Sequence, residues 1–452
     1  MPEHSESTPA SVPEGAQQAG DAHDALRKWS WTERCVWTER MLTALDTNNV
    51  KGGKWFRLID KVYAPRTLAA AFKKVKANGG AAGVDHQTIA MFEHGLDTNL
   101  GRLSEMLRTQ RYGPQAIRRV YIPKPGRSEE RPLGIPTVRD RVVQTALRSV
   151  IEPIFERGFA EQSYGFRPNR GCKGALRRVE QLLKQGYVWV VDADLKSYFD
   201  TIPHDRLMRR IEQKVADGRV LLLIEAFLNQ DVMETAKGWD PDADRGRGTP
   251  QGAVISPLLS NAYLDPLDHL MVEQGIEMVR YADDFVILCP NERDAIRALG
   301  LVRQWVETNG LTLHPDKTRL VDTSRGDGFE FLGYRFQHGR HWPTRRSLLR
   351  LKDAIRAKTR RTHGHSLRVI IADVNRTTRG WFEYYKHCRP TRFAKLDAWI
   401  RMRLRSILRR RHHGRGRGRG SDHQRWPNAY FAECGLFSMR TAWTTASQPA
   451  RR

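Results

Sequence analysis

The chain has 452 residues, of which 40% are hydrophobic, so it is long enough for two or three domains and apolar enough to fill their cores. Lysine and arginine total 76 against 51 acidic residues, and the formal net charge of +25 favours a polyanionic partner such as nucleic acid. No apolar run approaches the ~18 residues of a membrane span, and five scattered cysteines predict reduced thiols in a cytoplasmic protein.

Five segments follow one another along the chain. Composition and periodicity predict a disordered acidic tail at 1–28, a helical segment at 29–115, an α+β segment at 116–336, a helical segment at 337–411, and a basic tail at 412–452.

Apolar patterning predicts particular elements within these segments. Leu68, Phe72 and Val75 recur at helical spacing, whereas the β-branched and aromatic runs 188–191 and 285–288 predict buried strands. In 392–411, apolar residues fall on one face of a predicted helix, with arginines around the remainder.

Acidic residues interrupt both apolar strands. Asp194 ends the first strand, and Asp283 and Asp284 lie between two apolar runs, a pattern that predicts a tight hairpin with both carboxylates at its tip. Three converging carboxylates repel one another unless a cation neutralises them, and hard oxygen ligands suit two Mg²⁺ ions. Two alternatives stay open: the Asp-Asp pair is a solvated turn, or Asp192, which shares the strand face of Asp194, is the ligand.

The run YADD at 281–284 resembles the Y-x-D-D box of reverse transcriptases, and Asp194 with Phe199 and Asp200 resembles their D-x-x-x-x-F-D strand motif. The two boxes lie 89 residues apart, an interval typical of that family. Further boxes resemble the family's in the same order: IPKPG (122–126), RPLGIP (131–136), SYGFRP (163–168), GTPQG (248–252), SPLL (256–259), LHPDKT (313–318) and FLGY (331–334).

The resemblance implies a right-hand polymerase, with antiparallel sheet in its fingers and palm. It implies that Asp194, Asp283 and Asp284 are the catalytic metal ligands. It also implies a nucleotide site in which Lys124 and Arg131 grip the triphosphate, Gln251 lies beside the incoming nucleotide, Phe199 excludes a ribose 2′-OH, and Lys317 protonates the leaving pyrophosphate.

The segment after the palm resembles the helical thumb, or X, domain of group II intron maturases, and residues 68–85 resemble the N-terminal extension of non-retroviral enzymes. The arginine-rich helix implies RNA contacts through Arg401, Arg405, Arg409, Arg410 and Arg411. Because no paired cysteines follow, the ending resembles the compact bacterial type that lacks an endonuclease domain.

The predicted function is therefore an RNA-directed DNA polymerase that also binds its intron RNA to assist splicing and mobility. Its implied partners are intron RNA, an RNA template with a DNA primer, dNTPs and target DNA, without a membrane. Two other functions stay open: an RNA-binding splicing cofactor without polymerase activity, and a reverse transcriptase recruited to host defence or DNA repair.

Overall fold

The structure is a computed structural model that describes residues 27–47, 50–123, 130–234, 238–239, 246–388, 391–418 and 420–447. The predicted acidic tail at 1–28 lies almost wholly outside these residues. Lys124 also lies outside them, and of Arg131 only the backbone is described. The chain divides into a first unit, residues 1–178 and 193–319, and a second unit, residues 179–192 and 320–452.

The first unit is built largely of helices. In chain order they are α1 (Glu39–Asp46), α2 (Ile59–Tyr63), α3 (Pro65–Asn78), α4 (Ile89–His94), α5 (Leu96–Arg108), α6 (Val138–Glu156), α7 (Cys172–Lys184, which runs on past the end of this unit's first segment), α8 (Tyr198–Thr201), α9 (His204–Glu212), α10 (Gly218–Leu228), α11 (Ser256–Glu273) and α12 (Glu292–Thr308).

Helix α6 lies at the centre of the first unit's core and is buried along most of its length. The predicted apolar face of α3 is confirmed, because Leu68, Phe72 and Val75 are buried. The glycine-containing loop after α3 is fixed by Arg141 of α6, whose guanidinium donates to the carbonyls of Gly79 at 3.2 Å and Ala81 at 2.7 Å.

A four-stranded sheet of the first unit has the order β2-β1-β4-β5. Its strands are β1 (Ile117–Pro123), β2 (Glu130–Ile135), β4 (Val232–Glu234) and β5 (Gly238–Trp239). The β1–β2 and β4–β5 pairs are antiparallel, whereas β1 and β4 run parallel.

A second four-stranded sheet has the order β6-β7-β3-β8. Its strands are β3 (Trp189–Asp194), β6 (Glu277–Tyr281), β7 (Asp284–Cys289) and β8 (Arg319–Asp322). Both strands predicted from the apolar runs 188–191 and 285–288 are therefore present.

The second unit begins its main segment with the antiparallel sheet β11-β10-β9 and continues in helices. Its further elements are β9 (Gly328–Phe331), β10 (Tyr334–Gln337), β11 (Arg340–Pro343), α13 (Arg345–Lys358), α14 (Leu367–Tyr385), α15 (Thr391–Arg411), α16 (Ser421–Arg425), α17 (Asn428–Glu433) and α18 (Met439–Ser447). The predicted α+β class, with antiparallel sheets followed by a helical C-terminal part, is confirmed.

The helical part begins later than the predicted residue 337, because the chain first completes the hairpin β10–β11. Gln337 pairs with Arg340, so His338 and Gly339 form a two-residue turn in which both φ angles are positive, 49° and 62°. Such turns match the twist of antiparallel strands, and glycine at the second position favours them.

The sequence predicted a basic tail at 412–452, but residues 421–447 contain the helices α16, α17 and α18. Trp426, Phe431 and Met439 are buried, and Asp397 of α15 accepts the backbone N–H groups of Met439 at 3.1 Å and Arg440 at 3.0 Å. The sequence did not predict these helices, because arginines and glycines dominate the start of the segment and its buried apolar residues are few.

In the part of the chain that the structure describes, no helix is long and apolar enough to cross a membrane. The five cysteines are all free thiols.

Replacing Phe431 with alanine tests whether this C-terminal segment belongs to the folded core. Because the ring is fully buried, Phe431→Ala should lower the free energy of unfolding by about 3–5 kcal/mol, measured by urea denaturation. The neighbouring Tyr430 is only half-buried, so Tyr430→Ala should lower it much less. Equal, small effects of both substitutions would mean that the segment adds no stability.

Candidate active site

The two adjacent aspartates lie at the turn of the hairpin β6–β7. Tyr281 pairs with Asp284, so Ala282 and Asp283 form the two-residue connection, as the sequence pattern predicted. The strands are buried on either side of the turn, whereas Asp283 and Asp284 are partly exposed. Burial and then a hydrogen bond with Cys172 raise the pKa of Tyr281 to about 12, so its phenol stays protonated at neutral pH.

The turn has an unusual backbone conformation. Ala282 has a φ of 60°, a left-handed conformation that alanine rarely adopts and that costs of order 1–3 kcal/mol. Gly165 approaches this turn so closely that a Cβ there would overlap the backbone nitrogen of Ala282 and lie 2.8 Å from the Tyr281 carbonyl carbon. A glycine at 165 is therefore required for the hairpin to keep its position.

A fully buried arginine holds the turn from behind. Arg280 of β6 donates through Nε to Asp268 Oδ1 at 2.7 Å, and its Nη2 pairs with Asp268 Oδ2. Its Nη1 donates to Asn261 Oδ1 at 2.9 Å and to the carbonyl of Ala282 at 2.8 Å. The same Asn261 donates to the carbonyl of Gly165 at 2.8 Å, so one network fixes both sides of the close approach.

Because both charges of this network are buried, loss of either partner would destabilise the protein. The side chains of Arg280 and Asp268 are both 0% exposed. Burial alone would lower the pKa of Arg280, but the Asp268 carboxylate raises it. Removing one partner of a buried pair leaves an uncompensated charge and typically costs about 3–5 kcal/mol.

Sequence reasoning missed Arg280, Asp268 and Asn261. One signal was available: Arg280 follows the apolar residues Met278 and Val279, in the first of the two apolar runs that were predicted to form the hairpin. A buried arginine requires a carboxylate partner, but nothing local in the sequence identifies which of the acids supplies it.

The third aspartate of the predicted set ends β3, the strand next to β7 in the sheet. The carbonyl of Asp194 accepts the backbone N–H of His314 at 2.7 Å, and its carboxylate pairs with Lys317 Nζ. The structure thus brings together two of the predicted site residues, Asp194 and Lys317, which are 123 positions apart in the chain. Their side chains are 30% and 45% exposed, so solvent weakens the attraction within this pair.

The three aspartates are suited to a metal ion by their carboxylate oxygens and by the placement of their backbone. Asp194 ends β3, Asp284 begins the adjacent strand β7 and Asp283 lies in the turn before it, and all three offer oxygen ligands, the type that Mg²⁺ prefers. Within the described residues, however, no group of three or more His, Cys, Asp or Glu side chains is arranged so that it could hold a metal ion.

Two of the predicted nucleotide-binding residues, Gln251 in a loop and Phe199 in α8, belong to segments that contact each other. Gln251 donates through Nε2 to the Asp200 carboxylate at 3.2 and 3.3 Å. The adjacent Phe199 is only 9% exposed, and its backbone carbonyl accepts the N–H of Thr249 at 2.6 Å. This segment carries Phe199 and Asp200 beside a small cavity of about 60 Å³, which Asp200 and Gln251 help to line.

The fingers strand β2 is attached to the same loop. The N–H of Gly134 donates to the carbonyl of Gln251 at 2.6 Å, and a Cβ at Gly252 would overlap the carbonyl oxygen of Gly134. This contact fixes the backbone that carries Arg131 relative to Gln251, since both belong to the first unit.

The sequence pattern indicated that the arginines of α15 face solvent, but not all of them do. Arg405 is only 2% exposed and donates to the Trp426 carbonyl at 2.9 Å and to Asn428 Oδ1 at 2.8 Å, so its guanidinium is bound inside the protein and does not face solvent. Arg409 pairs with Asp422 at 2.6 Å, and Arg401 is half-buried, whereas Arg410 and Arg411 are exposed. The folded C-terminal helices explain why inward-facing arginines occur here.

Two family models match this chain. Residues 122–336 match the model described as reverse transcriptase (RNA-dependent DNA polymerase), and residues 348–426 match the model described as the group II intron, maturase-specific domain.

Curated relatives agree with these matches. Protein YkfC of Escherichia coli is 34% identical over 324 residues, which cover 62% of this chain and 82% of that protein. The group II intron-encoded protein LtrA of Lactococcus lactis is 35% identical over 226 residues, which cover 50% of this chain and only 36% of that protein. Among solved structures, a Candida albicans telomerase aligns over 72% of this chain and 64% of its own, at 14% identity and a TM-score of 0.40.

The chain therefore belongs to the reverse transcriptase family, whose members use divalent metal ions for catalysis. Within that family it is a reverse transcriptase of the group II intron kind, with a maturase-specific domain after the polymerase domain.

The close approach of Gly165 to the turn generates a direct prediction. Gly165→Ala should displace the Ala282 backbone and lower the rate of primer extension on an RNA template by at least tenfold, with a loss of stability of about 1–3 kcal/mol. Gly171→Ala is the matched control, because nothing lies within 4 Å of a Cβ there and the added methyl group should change neither quantity. Wild-type extension by Gly165→Ala would show that the turn does not need this contact.

Proposed function

We propose that this protein is an RNA-directed DNA polymerase that copies intron RNA into cDNA, and that it binds the same RNA to assist splicing and mobility. The observation that supports this most directly is the hairpin β6–β7, which presents Asp283 and Asp284 at its turn beside the strand that ends in Asp194. Burying the charges of Arg280 and Asp268 costs free energy of desolvation. A network that nevertheless fixes this turn is typical of a catalytic site, whose groups must be held in a precise geometry.

In this proposal Asp194, Asp283 and Asp284 hold two Mg²⁺ ions. When bound, such ions lower the pKa of the attacking 3′-hydroxyl and stabilise charge on the transferred phosphate. The protein's own contribution is to fix the backbone of the aspartate turn through Arg280 and to hold Asp194 at the end of β3. Release of Asp194 would free the Lys317 ammonium to protonate the leaving pyrophosphate.

Four further residues are proposed to bind the incoming nucleotide. Lys124 and Arg131 would neutralise its triphosphate, and a guanidinium can do so through two parallel hydrogen bonds. Gln251 and Phe199 would contact its sugar and base side, where the Phe199 ring excludes a ribose 2′-OH and so favours dNTPs. The proximity of Gln251 to the Phe199–Asp200 segment supports assigning both to one site.

The proposed partners are intron RNA, an RNA template with its DNA primer, and target DNA. The exposed Arg410 and Arg411 at the end of α15, with Arg401 and Arg409 beside them, supply positive charge for phosphate contacts. The overall charge of +25 supports a nucleic-acid partner, and five free thiols support a reducing location such as the cytoplasm.

Neutralising the turn carboxylates tests the catalytic assignment. Asp283→Asn with Asp284→Asn should abolish cDNA synthesis, a loss of at least about a thousandfold, because a neutral amide oxygen binds a divalent cation much more weakly than a charged carboxylate does. Affinity for RNA, measured by filter binding, should change by less than about twofold, since the turn is far from the basic helix in sequence and carries no cation.

The matched control is Asp205→Asn with Glu212→Gln, which removes two exposed acids from α9 and changes the net charge equally. This control should extend primers at the wild-type rate. Normal extension by the Asp283/Asp284 variant would contradict the polymerase assignment. If the wild-type protein bound RNA and promoted splicing but extended no primer, the chain would be a splicing cofactor without polymerase activity.

A further inference from the structure

A cavity of about 200 Å³ in the second unit is surrounded by arginines. It lies between α13, α15 and the loop that follows α15, and four of its lining residues are Arg356, Arg361, Arg403 and Arg417. Of the described residues, none that lines it is acidic. None of these four arginines belonged to the RNA-binding set that the sequence predicted.

An aromatic ring organises the cations at this site. Two cations that line the cavity lie over the Trp399 ring, Arg356 at 5.9 Å from the centroid and Arg403 at 5.5 Å, and Lys352 beside the cavity also lies at 5.9 Å. Attraction to the negative face of a tryptophan ring holds such groups in place without neutralising their charge. Arg356 also pairs with Asp353 at 2.5 Å, whereas Arg403 keeps its positive charge at the site and loses little freedom on binding.

Hydrogen bonds fix the innermost guanidinium. Arg403 donates through Nε to Thr359 Oγ1 at 2.6 Å and through Nη2 to the Thr359 carbonyl at 3.0 Å. Burial lowers the pKa of Arg403, and the nearby charges of Arg356 and Arg361 lower it further. The like charges of Arg356 and Arg361 repel that of Arg403, and a bound anion would relieve this repulsion.

The arginine-glycine loop is anchored at this cavity. Gly418 is buried, its N–H donates to Ser406 Oγ at 3.2 Å, and a Cβ there would lie 2.7 Å from the Arg405 Cβ. This anchor places the preceding Arg417 at the cavity wall. Part of the run that sequence analysis assigned to a basic tail is thus a fixed component of a binding site.

We propose that this cavity binds a single phosphodiester group of an RNA strand, with the Arg361 and Arg417 guanidinium groups closing over it. Guanidinium groups match the geometry of phosphate oxygens, and a cavity of this volume admits a phosphate group with part of its sugar but not a base pair. The inference deepens the proposed function, since it rests on RNA being a partner and names where one of its phosphates is held.

Removing two exposed arginines of the site tests the proposal. Both Arg361 and Arg417 are exposed, so Arg361→Gln with Arg417→Gln should leave the melting temperature unchanged. Affinity for a single-stranded uridylate oligomer of about 20 nucleotides should fall about tenfold, and the salt dependence of binding should weaken by about one unit of slope.

The control is Arg325→Gln with Arg376→Gln, which removes two exposed arginines of the same unit that pair with Asp322 and Asp373. An equal loss of affinity in control and test variants would attribute the effect to net charge and overturn the proposal. Unchanged affinity in the Arg361/Arg417 variant would also overturn it.

Two further measurements separate related outcomes. If inorganic phosphate alone protects the wild-type protein from heat at submillimolar concentration while RNA affinity is unaffected by the substitutions, the site serves free phosphate rather than RNA. If Arg410→Gln with Arg411→Gln weakens RNA binding but the cavity variant does not, only this inference fails. If both variants bound RNA as tightly as the wild type, the RNA-binding part of the proposed function would be contradicted. Primer extension at saturating template tests the polymerase part separately.

Discussion

The buried pair of Arg280 and Asp268 is the interaction on which the candidate active site depends. It neutralises two charges that have no access to water, and it uses the remaining guanidinium hydrogens to hold the carbonyl of Ala282 and the amide of Asn261. The left-handed backbone of Ala282 is unfavourable by itself, so the turn persists because this network determines its position. A turn held in this way keeps the backbone that carries its acids in one position.

The same principle of fixed backbone and adjustable side chains extends outward from the turn. The loop that carries Gln251 is joined to β2 through Gly134, and β3 is fixed through the hydrogen bond between Asp194 and His314. The carboxylate of Asp194, by contrast, is partly exposed and paired with Lys317, so a cation can compete for it. The second unit uses the opposite arrangement, in which fixed arginines around Trp399 face an open cavity.

Much of this could be predicted from the sequence because the relevant signals are local. Apolar periodicity predicted the strand that ends in Asp194, the hairpin of Asp283 and the helical face of α15. The pairing of Asp268 with Arg280 could not be predicted, because it joins a helix to a strand and only the folded chain brings them together. The inward direction of Arg405 was missed for a related reason: its partners, the Trp426 carbonyl and the Phe431 ring, belong to a later segment that was predicted to be a tail.

The most direct test of this account replaces the buried pair with apolar side chains, Arg280→Met with Asp268→Leu. Because such replacements of buried ion pairs are often neutral or stabilising, the melting temperature should stay close to that of the wild type. The rate of single-nucleotide extension at saturating template and dNTP should nevertheless fall at least tenfold, since Ala282 loses its donor and the aspartate turn loosens. A stable double variant that extends primers at the wild-type rate would contradict the claim that this pair positions the catalytic acids.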